Sequence, residues 1–90
     1  MGKVIKRSGR IEAFSAAKIK RGIERAAKDA RLSPSDVRKL VLKVAEPLIK
    51  LNKNKRLVKV TDLRRAILGR LERKAKRVSA AWRRFDKKRH

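Results

Sequence analysis

The sequence predicts an α+β fold that is mostly helical: a four-helix bundle capped by a small three-stranded β-sheet lid. Three observations predict it. Aliphatic residues recur at helical spacing in four stretches, helix-start signals precede most of them, and three short β-branched segments lie outside them. At 90 residues the chain is one domain, residues 1–90.

Lys3 to Lys6 (K-V-I-K) reads as a first strand, and Arg10 to Phe14 (R-I-E-A-F) alternates polar and apolar as a second. Ser8-Gly9 between them is a turn signal, because glycine adopts a positive φ cheaply. A two-stranded hairpin is marginal alone and needs a surface to lie on.

Ser15 stands at an N-cap position. Ile19, Ile23, Ala26, Ala27 and Ala30 then form one apolar stripe, with Lys18, Arg21, Arg25 and Lys28 opposite. Ser33-Pro34-Ser35-Asp36 starts the next helix: Ser33 caps, Pro34 takes the first helical position and Asp36 completes a capping box. Its expected buried stripe is Val37, Leu40, Val41, Val44, Leu48 and Leu51, and Pro47 should kink it or end its regular part.

Leu57 to Val60 (L-V-K-V) reads as the third strand, and Thr61-Asp62 as the cap of a third helix whose apolar face is Leu63, Ile67 and Leu71. Val78, Trp82 and Phe85 continue at i, i+4 and i+7 as a fourth helix, with a break expected between Glu72 and Lys76. That spacing assigns Trp82 and Phe85 to the core rather than to base stacking or a lipid surface. Residues 86–90 are expected to fray.

Composition narrows the function. Lysine and arginine number 30 and aspartate and glutamate 8, for a net charge of +22. Residues 64–90 are the most cationic third, with 12 basic and 2 acidic residues. So one-sided a field is self-repulsive and calls for a polyanion, RNA or DNA being the abundant ones. Arg70, Arg73, Lys74 and Arg77 fall at i, i+3, i+4 and i+7, and Arg84 and Lys88 extend the set. These six are the residues expected to contact nucleic-acid phosphates. Such contacts read backbone rather than sequence, and the chain shows no base-reading helix.

Other chemistries are excluded or weakly supported. Cysteine is absent and His90 is the single histidine, so thiolate zinc, cysteine nucleophiles and His-rich metal sites drop out. No Walker loop, nucleophile–base pair or carboxylate cluster is present, so the reading is a non-enzyme. No apolar run spans a membrane and no secretory signal is evident, so the expected compartment is the cytoplasm, with ribosome or nucleoid association. The lack of Gln and Cys and the scarcity of Asn fit a hot habitat.

The segment V-I-K-R-S-G-R-I-E-A-F-S-A-A-K-I (Val4 to Ile19) resembles the opening of the ATP-cone, a module at the N-terminus of many ribonucleotide reductases and in the bacterial repressor of their genes. V-K-V-T-D-L (Val58 to Leu63) looks like that family's third strand and following helix start, and A-A-W-R-R-F (Ala80 to Phe85) like its closing helix. The resemblance implies ATP or dATP, with or without magnesium, bound between lid and helices. Val4 would flank the base, Lys6, Arg7 and Lys18 would hold phosphates, and Glu12 and Ser15 would contact base or sugar. Ser8, Ser15 and Asp86 depart from the residues usual at those positions. The role implied is regulatory, with any regulated partner protein outside these residues. The alternative is a structural binder of ribosomal RNA or chromatin DNA that has lost its dependence on nucleotide.

Overall fold

A computed structural model describes residues 2–88 and, of residues 86–88, the backbone alone. The order is β1 (Lys3–Ile5), β2 (Ile11–Ala13), α1 (Ala16–Asp29), α2 (Pro34–Asn52), β3 (Leu57–Lys59), α3 (Val60–Lys74) and α4 (Lys76–Lys88). This is the expected element sequence and a mostly helical α+β fold.

Ser8-Gly9 turns the β1–β2 hairpin with Gly9 at φ 87°, and the Gly9 N–H donates to the Lys6 carbonyl at 2.9 Å. The sheet order is β2-β1-β3, antiparallel on one side of β1 and parallel on the other. The parallel pairing is long-range, because α1 and α2 intervene in sequence. It is secured at Gly2, where a Cβ would run into the Lys55 carbonyl and the Lys3 N–H donates to the Arg56 carbonyl at 3.0 Å.

The two serine caps form as their sequence context requires. Ser15 Oγ accepts from the Lys18 N–H and Ser33 Oγ from the Asp36 N–H, both at 3.2 Å. Each satisfies one of the donors that a helix start leaves unpaired.

The helices form a ring in which α1 packs on α2 and α4, and α3 packs on the same two. Each helix sends a large side chain to the fully buried centre: Ile23, Val44, Leu71 and Val78. The α1 stripe of Ile19, Ile23, Ala26, Ala27 and Ala30 is buried throughout. The expected break falls at Ala75, whose backbone (φ −158°, ψ 86°) leaves the helical region.

Two expectations change and one narrows. Leu51 is 60% exposed; Asn52 turns inward instead, its amide donating to the Leu48 carbonyl at 2.8 Å. Of the two outcomes expected at Pro47, α2 does not end there but runs on to Asn52. Thr61 and Asp62 lie inside the first turn of α3 rather than capping it, because β3 passes directly into the helix at Val60 and Lys59 takes the cap position without a side-chain bond. The lid is therefore continuous with α3 and not a separate cover. The segment expected to fray, 86–90, is helical in its backbone to Lys88; residues 89–90 lie outside the described residues.

Candidate functional site

Strand alternation builds the inner face of the lid. Val4 and Lys6 stand two residues apart, and Val4 pairs with Glu12 across the β1–β2 register. All three line a cavity of about 200 Å³ between the lid, α1, α3 and α4. Ser15 and Lys18 reach it from the start of α1. Five of the six residues expected to hold a nucleotide thus share one cavity.

Arg7 does not line it. The hairpin turn carries Arg7 to an exposed position beyond Lys6. Lys88, expected among the polymer contacts, lies outside the residues whose side chains are described.

The rim is already charge-organised. The Glu12 carboxylate pairs with Lys6 Nζ at 3.3 Å and with Lys18 Nζ at 3.7 Å. The Lys6 hydrogen bond holds the Glu12 carboxyl below the usual carboxylate range; partial burial opposes this, and the charges of Lys18, Lys6 and Arg10 add to the lowering. Glu12 therefore acts as a clasp that keeps two ammonium groups facing the same opening. Ser15 Oγ is engaged as the helix cap, which leaves its hydroxyl proton as its one donor.

Apart from Val4, the walls come from residues the sequence reading did not assign to the site. Val4, Phe14, Ile19 and Ile67 supply buried aliphatic and aromatic surface, and the half-buried Trp82 and Phe85 of α4 supply two more rings. Trp82 packs partly on the core, against Gly22 of α1. Phe85 is not a core residue: it stands at the cavity wall, with the Arg25 guanidinium carbon 4.9 Å from its ring centroid. The helical spacing that joined Phe85 to Val78 is real, but the core includes Val78 and not Phe85.

Sequence reasoning also missed Arg64, half-buried on α3 and lining the same cavity. Its signal was its spacing from Val60 and Ile67, i+4 and i−3, which the assignment of Val60 to a strand concealed.

The expected polymer-contact residues do not line one concavity. The break at Ala75 divides them. Arg70 and Arg73 line a concavity beside β3, whereas Arg77 and Arg84 line another beside the end of α1. The two concavities have no residue in common, and Lys74 lines neither. Periodicity carried across a helix break does not preserve a face.

Among the described residues, no group of three metal-ligating side chains occurs. No described helix is long and apolar enough to cross a membrane.

A β-lid over a helical cavity, apolar in its walls and cationic at its rim, defines a small ligand-binding module. A family model for the ATP cone domain matches residues 2–89, and the chain belongs to that family. Domains of this family are regulatory nucleotide-binding modules whose effectors are ATP and dATP. No curated protein matches the chain.

Proposed function

We propose that this protein binds ATP or dATP beneath its lid and serves as a regulatory module rather than a catalyst. The observation that carries this reading is the convergence of Val4, Lys6, Glu12, Ser15 and Lys18 on one cavity that also holds Trp82 and Phe85. The fit is chemical. A flat base suits aromatic and aliphatic walls, and a triphosphate suits ammonium groups beside the N-terminus of α1. The volume of about 200 Å³ accommodates the base end, with the phosphates at the open rim by Lys6 and Lys18. Magnesium, where it takes part, comes with the triphosphate.

The test is a thermal-shift titration with ATP, dATP, GTP and AMP. ATP and dATP should raise the melting temperature, AMP should do so weakly, and Lys6→Ala with Lys18→Ala should remove the rise. The contribution lost should be about 1.5–3 kcal/mol per charged hydrogen bond. No rise at millimolar ATP rejects the reading.

A second reading is favoured by the charge. Two cations at a nucleotide rim do not account for a net charge of +22, with 12 basic residues in the last 27. The surplus suits the phosphate backbone of ribosomal RNA or chromatin DNA. Binding whose affinity falls steeply with salt supports it; affinity that does not respond to salt rejects it.

A further inference from the structure

Helix α1 ends in a Schellman turn. The Arg31 N–H donates to the Lys28 carbonyl at 2.9 Å, and the Leu32 N–H donates to the Ala27 carbonyl at 3.1 Å. This turn requires its residue after the cap to be left-handed, and glycine is the usual occupant. Here the occupant is Arg31, at φ 64°, the single non-glycine with positive φ among the described residues. A side chain in that region is strained relative to glycine. A strained residue invites a functional reason.

The reason lies beside it. Arg31, Arg77 and Arg84 line one shallow concavity with the small Ala30 and Ala80. All three arginines are exposed, and none is ion-paired among the described residues. Neighbouring cations are otherwise engaged: Arg83 pairs with Glu72 across the α3–α4 junction, and Arg25 lies over Phe85. Among the described residues, one carboxylate, Asp29, shares the rim, three positive charges to one negative. A cation near the C-terminus of α1 also offsets the helix dipole, but that does not account for two further arginines lining the same cleft.

We propose that Arg31, Arg77 and Arg84 form a docking cleft for the sugar-phosphate backbone of a polynucleotide, separate from the cavity under the lid. This rests on the second reading above and assigns it a face. The small alanines allow close approach of a backbone. Among the described residues no aromatic ring lines the cleft, so a free nucleotide would find none of them to hold its base. Arg77 and Arg84 are two helical turns apart, about 10 Å along the axis, a span that a chain of repeating phosphates bridges and a lone phosphate does not. The planar guanidinium fork suits phosphate oxygens.

The test measures binding of the full chain to a mixed-sequence 20-mer, as duplex DNA and as single-stranded RNA, across a salt series. Inorganic phosphate serves as the free-anion arm. The triple variant Arg31→Gly, Arg77→Ala, Arg84→Ala should weaken polymer binding at least tenfold and lower the salt slope by about two units. The charge-matched control Arg38→Ala, Lys39→Ala, Lys43→Ala should weaken it by a smaller factor. Arg31→Gly alone should raise the melting temperature while weakening polymer binding, a separation that a merely structural residue would not give. Equal losses in the two triple variants, or full competition by millimolar inorganic phosphate, overturns the cleft. Wild-type protein that binds neither polymer overturns the second reading itself and leaves the nucleotide cavity untouched.

Discussion

Gly22 of α1 lies against the indole of Trp82: a Cβ built on Gly22 would stand 3.1 Å from Cζ3 and 3.2 Å from Cη2 of the ring. The glycine gives up helix propensity, about 1 kcal/mol relative to alanine, and gains room for an aromatic wall. Gly22→Ala should therefore leave stability close to that of the wild type, because the propensity gained offsets the contact. The ring, which is only half-buried, should shift by a few tenths of an ångström away from α1 across the cavity. Emission from the one tryptophan should change and ATP should bind several-fold more weakly. Unaltered emission together with an unaltered ATP titration would refute this role.

Glu12 sets a pH dependence. Its folded-state pKa is depressed, chiefly by the Lys6 hydrogen bond, with Lys18, Lys6 and Arg10 adding to the effect. Its contribution to stability is therefore present above the ordinary carboxylate range and lost as pH falls through its lowered value. Glu12→Gln should be less stable than wild type at pH 7, and the two melting curves should converge below about pH 5. Curves that stay equally separated in acid would show that the clasp contributes nothing ionic.

Gly2→Ala should damage the lid. The added methyl meets the Lys55 carbonyl, which is backbone and cannot rotate away. The Lys3–Arg56 hydrogen bond and the Phe14 N–H bond to the Gly2 carbonyl, at 2.9 Å, lie on either side of it. A loss of about 1–3 kcal/mol is expected from such overpacking. The ATP-induced thermal shift should fall with it, and denaturation in urea with and without ATP measures both.

Two leucines of α2 should part company. Leu48 is 2% exposed and Leu51 is 60% exposed. Leu48→Ala should cost about 2–5 kcal/mol and Leu51→Ala within about 0.5 kcal/mol. Comparable shifts in their urea midpoints would contradict the inward turn of Asn52.

Much of the local structure was legible in the sequence because its causes are local. Ser15 and Ser33 cap their helices through donors three residues away, and Gly9 turns a hairpin whose strands flank it. The site segment was legible through the family resemblance, which named Val4, Lys6, Arg7, Glu12, Ser15 and Lys18; all but Arg7 line the cavity, because strand alternation followed by a helix start brings them together.

What the sequence by itself determined was the set of elements and the α1 stripe, since hydrophobic period, turn residues and caps act over a few positions; one half of the cavity, from Val4 to Lys18, was read through the family resemblance. Tertiary structure alone decided the other half. Arg64, Trp82 and Phe85 reach the cavity because α4 packs on α1 and α3 packs on α4. It also decided that Arg73 and Arg77 serve different concavities, because the turn at Ala75 rotates one helix relative to the next. Periodicity fixes which side chains share a face of one helix; the angle between helices decides which faces meet.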